Sequence, residues 1–279
     1  MNSSTHPARY RLAAIDIDGT LLGPDSRVSA ANIAAVAKLR AHGIRVVLAS
    51  GRRHENILNF HHLLNLEGPI VSCQGALVKM AETNRILHEH CMPAALAEEV
   101  IRDGSMQGMT LIYYRTDGIY ISKHDAHTDL YHSRGGDELI PYGALEGLAG
   151  ETPLKIIWIS TPVEIGNRYP KVEAHYRGRL DTVLTYPEYL EFIALGVSKA
   201  VAVKEVAKYY GIDREEVLAF GDGNNDVPML EWAGLGVAMS ESTPGAKAAA
   251  SITAPAGDPA TSLARAVAKI LVEPSLAES

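Results

Sequence analysis

Short, largely apolar runs alternate with longer amphipathic stretches through the first quarter of the chain. Residues 10–15 (YRLAAI), 44–50 (IRVVLAS) and 69–73 (PIVSC) have the composition of strands that are covered on both faces. Between them lie two stretches with helical periodicity, Ser29–His42 and His54–Leu64. This strand–helix–strand–helix–strand order with short connections predicts a parallel α/β sheet.

The same rhythm returns in the last third of the chain. Helices are predicted over Lys199–Tyr210 and Asp226–Ala233, each followed by an apolar strand, VLAFGD (217–222) and LGVAM (235–239) respectively. A final helix is predicted over Pro259–Val272. These elements extend the same α/β architecture.

Between these two regions the pattern is shorter and more strictly alternating. The stretch LIYYRTDGIYIS (111–122) predicts a hairpin that turns at Thr116–Gly118, and LKIIWIS (154–160) predicts another strand. We therefore expect one α/β domain, formed by residues 1–82 and 191–279, that is interrupted by a separate α+β domain at residues 83–190.

Composition narrows the class of protein. The 279 residues carry a formal net charge of −7, which disfavours a nucleic-acid binder that depends on a basic surface. The two cysteines, Cys73 and Cys91, form no CxxC pair, so neither a disulfide framework nor a thiolate zinc site is indicated. The sequence shows no signal peptide and no apolar run of about 20 residues, so we expect a cytoplasmic protein.

Polar residues that could bind a ligand or take part in a reaction lie where the predicted α/β strands end. Asp16 and Asp18 follow the first strand, Ser50 ends the second, and Asp222 follows the strand VLAF. Lys199 begins a predicted helix. Because ligands of open parallel sheets bind outside the carboxyl ends of the strands, we expect these side chains to converge.

The converging residue types favour a magnesium ion and a phosphate group. Carboxylates of Asp16, Asp18 and either Asp222 or Asp226 are hard oxygen ligands of the kind that Mg²⁺ prefers. A cation would also relieve the repulsion between neighbouring carboxylates. Ser50 and Lys199 are suited to hold phosphate oxygens, and a carboxylate can itself attack phosphorus.

Four segments in this order, DIDGT, ASGR, GVSKA and GDGNND, resemble the motifs of the haloacid dehalogenase superfamily. Within it, the chain is similar to the Cof-type phosphatases, whose large α+β cap of the C2 type is inserted between the second and third motifs. The resemblance covers the whole chain and implies a doubly wound, Rossmann-like core. It also implies a hydrolase that releases phosphate from small metabolites, such as sugar phosphates or phosphorylated cofactors.

The resemblance also implies a role for each motif residue. Asp16 resembles the nucleophile that forms an aspartyl-phosphate, and Asp18 resembles the general acid and base. Magnesium would be bound by the Asp16 carboxylate, the Asp18 backbone carbonyl and the Asp222 carboxylate. Asp226 would lie in or next to that metal shell through water. The phosphoryl group would be held by Ser50, Lys199 and Asn225.

Three positions depart from the family pattern. Gln74 stands where the family usually has Asn, and Ala200 stands where Gly is common. The stretch PAGDPATSL lacks the usual Asp-Gly-Val near the C-terminus. None of these changes removes a catalytic group.

Other interpretations of the same residues are weaker. GDGNND is half of a dinucleotide fingerprint, but Asp226 occupies its third glycine position. GVSKA nearly matches a serine-hydrolase motif, but Ser198 does not follow a clear strand. His124, His127 and His132 lack the spacing of a zinc motif and favour a solvated surface.

Two other functions use much of the same set of residues. A phosphomutase would form the same aspartyl-phosphate and return the phosphoryl group to a sugar. A non-catalytic module would only bind phosphate, but the presence of Asp16, Asp18 and Lys199 argues against it. The oligomeric state and the individual substrate do not follow from these residues.

Overall fold

The computed structural model describes residues 9–135 and 138–272, which divide into two compact units. The first unit, which the resemblance leads us to expect to be catalytic and which we name the catalytic unit, runs up to His88 and resumes at Ser198. The second, the inserted unit, is Glu89–Val197. The limits predicted from the sequence are 83 and 190, several residues earlier along the chain than this division. Strand pairing explains the second difference, because a cut at residue 190 would split a strand, Tyr189–Ala194, that belongs to the sheet of the inserted unit.

A five-stranded parallel sheet forms the centre of the catalytic unit. Its strand order is β14-β13-β12-β1-β2, and every pair is parallel. Such a sheet needs cover on both faces, which the uniformly apolar strands predict. The strands are β1 (Leu12–Ile15), β2 (Arg45–Leu48), β12 (Val217–Gly221), β13 (Leu235–Ala238) and β14 (Ile252–Thr253).

Helices cover both faces of this sheet, which confirms the predicted doubly wound core. Ala13 and Ile15 face one buried apolar cluster, and the alternate residues Leu12 and Ala14 face another. The first cluster includes residues of α1, α2 and α9, and the second includes residues of α6, α7 and α8. The helices are α1 (Ala30–Ala41), α2 (His54–Leu63), α6 (Lys199–Tyr210), α7 (Val227–Trp232), α8 (Pro244–Ala249) and α9 (Ser262–Val272).

A second, three-stranded sheet in order β3-β4-β5 follows α2. It comprises β3 (Pro69–Ser72), β4 (Leu77–Met80) and β5 (Ile86–Glu89). The sequence predicted the first of these strands but not the hairpin after it. The chain reverses between β3 and β4 through Cys73 and Gln74, which both have positive φ angles of 51° and 59°. These residue types give no turn signal as strong as Asn-Gly.

The inserted unit is built on a six-stranded mixed sheet in order β10-β11-β9-β6-β7-β8. The predicted hairpin is present, with β6 and β7 antiparallel around Thr116–Gly118. The strands are β6 (Thr110–Tyr114), β7 (Ile119–Ile121), β8 (Leu139–Pro141), β9 (Lys155–Ile159), β10 (Leu180–Tyr186) and β11 (Tyr189–Ala194). The helices are α3 (Ala94–Met106), α4 (Ala126–Gly135) and α5 (Pro162–Tyr176).

No helix in the described part of the chain is long and apolar enough to span a lipid bilayer.

Candidate active site

The sharp turn after β1 places Asp16 and Asp18 in different environments. Asp16 continues the strand, donates its backbone N–H to the Phe220 carbonyl over 3.0 Å, and is 4% exposed. The chain then turns through Gly19, whose φ angle is +84°. Asp18 therefore projects outward, and its side chain is 57% exposed. The two carboxylates have different solvation although they are only two residues apart.

Asp222 lies directly against this turn. Thr20 Oγ1 donates a 2.9 Å hydrogen bond to Asp222 Oδ1. A Cβ atom on Gly19 would lie 2.3 Å from Asp222 Oδ2, which is closer than such atoms approach. The glycine of DIDGT is thus required both for its backbone angle and for the space that Asp222 occupies.

Lys199 is the buried centre of the site. It is the first residue of α6, whose N-terminus is capped by Ser198, and it is 1% exposed. Its Nζ donates to Asp16 Oδ1 over 2.5 Å and to Asp226 Oδ1 over 2.7 Å. One ammonium group therefore neutralises charge on two carboxylates that come from different strand ends.

Asp226 is fixed by the protein through both of its oxygens. Oδ1 accepts from Lys199, and Oδ2 accepts the backbone N–H groups of Asp222 and Gly223, each over 2.9 Å. The predicted helix start at Asp226 is one residue early, because Asp226 ends a short 3-10 turn before α7. Its carboxylate shapes the loop that carries Asp222.

The carboxylates form a compact acidic cluster. Asp16, Asp222 and Asp226 each bring an oxygen within 4.8 Å of the others, close enough to hold a metal ion. Burial, and then the Asp226 charge, raise the pKa of Asp16 well above its ordinary value, although Lys199 opposes this. Burial and Asp226 also raise the pKa of Asp222. Burial lowers the pKa of Lys199, but the charges of Asp16 and Asp226 outweigh it and the net shift is upward.

Ser50 follows β2, the strand beside β1, and is 1% exposed. Its Oγ accepts the backbone N–H of Arg52 over 3.2 Å, and its backbone N–H bonds to the Val71 carbonyl. The structure thus brings the predicted hydroxyl group to the same edge of the sheet as Asp16. These two hydrogen bonds position the loop that leads into α2.

Arg52 is a site residue that the sequence analysis did not assign. Its Nε and Nη2 donate to Asp18 Oδ2 and Oδ1 over 2.8 and 2.6 Å. This two-point contact fixes the orientation of an exposed carboxylate. The motif ASGR contained the signal, because the arginine follows Ser50 by two residues at a strand end.

Asn225 and the unusual Gln74 contact each other. Asn225 Nδ2 donates to Gln74 Oε1 over 3.1 Å. The Gln74 amide also lies over Gly51, where a Cβ atom would be 2.5 Å from Nε2. The glutamine that replaces the family's usual asparagine, in the turn after β3, therefore contacts both the loop after β12 and the loop after β2.

The alternative sites have structural explanations. Ser198 Oγ accepts from the Val201 N–H as the cap of α6, which accounts for the serine of GVSKA. Two groups of the described residues are close enough together to hold a metal ion, and His124, His127 and His132 belong to neither of them. The structure therefore gives no geometric support to a serine nucleophile at Ser198 or to a metal site at these histidines.

Comparison with known proteins agrees with this arrangement. The sequence model of the haloacid dehalogenase-like hydrolases matches residues 13–266. The chain is 26% identical over 237 residues to the 5-amino-6-(5-phospho-D-ribitylamino)uracil phosphatase YitU of Bacillus subtilis, covering 82% of this chain and 86% of that protein. It is 28% identical over 237 residues to the HMP-PP phosphatase of Yersinia pseudotuberculosis, covering 84% of this chain and 85% of that protein.

The fold also matches solved structures. A haloacid dehalogenase-like hydrolase from Bacteroides thetaiotaomicron superimposes with a TM-score of 0.84 and 23% identity, over 94% of this chain and 99% of that chain. The family match covers both parts of the catalytic unit and the inserted unit between them. The chain therefore belongs to the haloacid dehalogenase-like hydrolases and is a phosphatase of the Cof type that its motifs predicted.

Proposed function

We propose that this phosphatase hydrolyses phosphomonoesters of small metabolites through an aspartyl-phosphate on Asp16, in a reaction that requires Mg²⁺. The observation that carries the proposal is the buried Asp16–Lys199–Asp226 arrangement, with Asp222 beside it. Burying several like charges is costly unless partners offset it. Such an arrangement is expected where a reaction needs it rather than for stability.

The residues present fit a magnesium ion. Asp16 and Asp222 are carboxylates whose pKa values are raised by burial and by nearby negative charge, so a divalent cation would favour their ionised forms. Asp226 already has protein partners on both oxygens, so we assign it to support the loop and Lys199. We assign the metal to the Asp16 and Asp222 carboxylates and the Asp18 carbonyl. When bound, Mg²⁺ would offset negative charge on the phosphoryl group.

The proposed reaction has two displacements at phosphorus. An Asp16 oxygen forms a bond to phosphorus as the bond to the leaving alcohol breaks, and Asp18 gives its proton to that alcohol oxygen. Asp18 then takes a proton from water, whose oxygen attacks phosphorus and displaces Asp16. Lys199, Ser50 and Asn225 bind the phosphoryl oxygens throughout, which limits the build-up of charge.

Arg52 fits this mechanism as a residue that orients Asp18. The general acid and base must point at the leaving oxygen, and a two-point contact restricts its rotation.

We place the substrates among sugar phosphates and phosphorylated cofactors. The relatives named above are phosphatases of a phosphoribitylamino-uracil and of HMP-PP, and they support this class for the present chain. The net charge of −7 supports a small partner rather than a nucleic acid. A cytoplasmic location remains part of the proposal.

The test is phosphate release from a panel of phosphorylated sugars, nucleotides and cofactors, with and without Mg²⁺. We expect release that depends on Mg²⁺ and that falls by about a thousandfold or more in Asp16→Asn, because this variant lacks the attacking carboxylate. The matched control is Asp25→Asn, an exposed aspartate of the same unit that should retain full activity.

An unchanged rate in Asp16→Asn would overturn the nucleophile assignment. Transfer of phosphate between sugar positions without net release would instead identify a phosphomutase. Release that is equal after removal of divalent ions would overturn the metal assignment.

A further inference from the structure

The inserted unit contains a groove whose lining includes none of the residues assigned above. It encloses about 340 Å³ and is bordered by residues of α3 and α5. Buried residues, Val172, Tyr176 and Trp158, form its base. This volume lies in the range of sites that bind small molecules, about 300–1,000 Å³.

Two polar contacts connect α3 and the residue after it with α5 and the residues after it. Arg168 Nη1 donates to Gln107 Oε1 over 2.9 Å. Arg179 contacts both oxygens of Glu99, over 2.9 and 3.0 Å. These contacts hold the two segments that border the groove together.

The base of the groove is rigid. Trp158 Nε1 donates to the Val100 carbonyl over 3.1 Å, and Tyr176 donates to Asp103 Oδ2 over 2.9 Å. Gly104 allows α3 to approach the sheet, because a Cβ atom there would lie 2.6 Å from Trp158 Nε1. A ligand would thus meet a preformed surface.

The free polar groups of the groove are positive or neutral. Lys171 and Asn167 stand one turn apart on α5 and are exposed, and their side chains have no hydrogen bond or ion pair with other described residues. Arg168 stands beside them, with one guanidinium nitrogen on Gln107. An ammonium group and a guanidinium group one helical turn apart suit phosphate or carboxylate oxygens.

A cation is the less suitable occupant. Glu99, Asp103 and His175 are close enough together to hold a metal ion. However, Glu99 is engaged by Arg179 at two points, and Asp103 accepts from Tyr176. The neighbouring guanidinium group would repel a metal ion.

We propose that this groove binds a small organic anion through a phosphate or carboxylate group held by Lys171 and Arg168, with its carbon skeleton against Val172 and Tyr176. This groove shares no residue with the proposed catalytic site, and its ligand would be distinct from the substrate of hydrolysis. It therefore stands or falls independently of the hydrolysis assigned to Asp16.

Trp158 offers a direct reporter. The chain has two tryptophans, so Trp232→Phe leaves Trp158 as the single indole. In that background, carrying also Asp16→Asn to prevent turnover, emission is titrated with inorganic phosphate, with citrate and with glucose 6-phosphate, and dissociation constants are checked by calorimetry.

We expect at least one probe to change Trp158 emission saturably. Lys171→Glu should raise its dissociation constant about tenfold or more, since a charged hydrogen bond is replaced by repulsion. Lys38→Glu makes the same charge change at an exposed position of α1 and should leave that constant unchanged. In the otherwise unmodified chain, Lys171→Glu should leave hydrolysis and the melting temperature unchanged.

The three probes separate the sources of the anion. Saturation by phosphate indicates the free ion, saturation by citrate indicates carboxylates, and saturation by glucose 6-phosphate alone indicates a phosphorylated metabolite. The proposal is overturned if no probe changes the emission, or if Lys38→Glu weakens binding as much as Lys171→Glu.

Discussion

Lys199 and Arg52 form ion pairs of similar length in the catalytic unit, but the surroundings of these pairs differ greatly. Lys199 contacts Asp16 and Asp226 over 2.5 and 2.7 Å with all three side chains 5% exposed or less. Arg52 contacts Asp18 over 2.6 Å, but the Asp18 side chain is 57% exposed. Water screens the Arg52–Asp18 pair and cannot screen the two pairs of Lys199, so the two basic residues should differ in their effects on stability.

We predict that Lys199→Met lowers the free energy of unfolding by about 3 kcal/mol, because it leaves buried carboxylates without a cation. Arg52→Gln should change it by less than about 1 kcal/mol, because the pair is largely solvated. Urea unfolding of both variants at pH 7 measures the difference. Adding Asp226→Asn to Lys199→Met should restore part of the stability, and equal losses in Arg52→Gln and Lys199→Met would contradict this account.

At the scale of elements, the turn after β1 decides whether the carboxylates meet. Gly19 has a φ of +84°, and its missing Cβ leaves room for Asp222. Gly43 follows α1 with a similar φ of +77°, but no atom lies within 4 Å of the position of its Cβ. A side chain at Gly43 would strain only the backbone angle, whereas a side chain at Gly19 would strain the angle and also collide with Asp222. Substituting the two glycines therefore separates these two effects on stability.

We predict that Gly43→Ala lowers the free energy of unfolding by about 1 kcal/mol and retains activity, because only the backbone angle is strained. Gly19→Ala should cost at least about 1 kcal/mol more and reduce phosphate release by at least about tenfold, because Asp222 must move. Chemical denaturation and phosphate release with saturating Mg²⁺ provide the measurements. Full activity in Gly19→Ala would show that the position of Asp222 does not matter.

At the scale of the whole molecule, two buried histidines affect how the fold responds to acid. His54 and His61, both 1% exposed, lie on α2, and neither ring nitrogen of either residue has a hydrogen-bond partner among the residues that the structure describes. Burial, and then Lys79, lower the pKa of His54 from 6.5 to about 4, although Glu55 opposes this. Burial also lowers the pKa of His61, opposed by Glu82. Both rings are therefore neutral in the folded protein at neutral pH.

The sign of the pH effect follows from where protons bind. Between about pH 6.5 and 4 the unfolded chain protonates His54 and the folded chain does not, so stability is lost as the pH falls through this window. Asp16 and Asp222 act in the opposite direction, because the folded state raises their pKa values. The contribution of these two aspartates to the pH dependence of stability is the same in the wild type and in variants that change only a histidine. It therefore cancels when their pH dependences are compared.

We predict that the wild-type chain loses about 2 kcal/mol between pH 7 and pH 5 through His54, and that this loss disappears in His54→Leu. His62→Leu changes an exposed histidine on the same helix and should keep the wild-type dependence. Urea unfolding at the two pH values measures both differences. An equal dependence in wild type and His54→Leu would rule out His54 as its origin.

Much of the catalytic unit could be predicted because its strands are covered on both faces. Uniformly apolar runs identify such strands directly, and the polar residue that ends each run marks the edge where the active site forms. Asp16, Asp18, Ser50 and Asp222 were found in this way, and their positions in the structure agree with the pattern. The family resemblance then supplied their roles.

The sequence by itself determined the doubly wound core, the inserted unit and the residues of the acidic cluster, since these depend on local pattern. Only the tertiary structure decided that Asp226 holds Lys199, that Arg52 holds Asp18 and that Gln74 contacts Asn225. It also decided the limits of the inserted unit, which depend on hydrogen bonds between distant strands. The physical reason is that a side chain's partner depends on which loops the sheet brings together, and local periodicity carries no record of that.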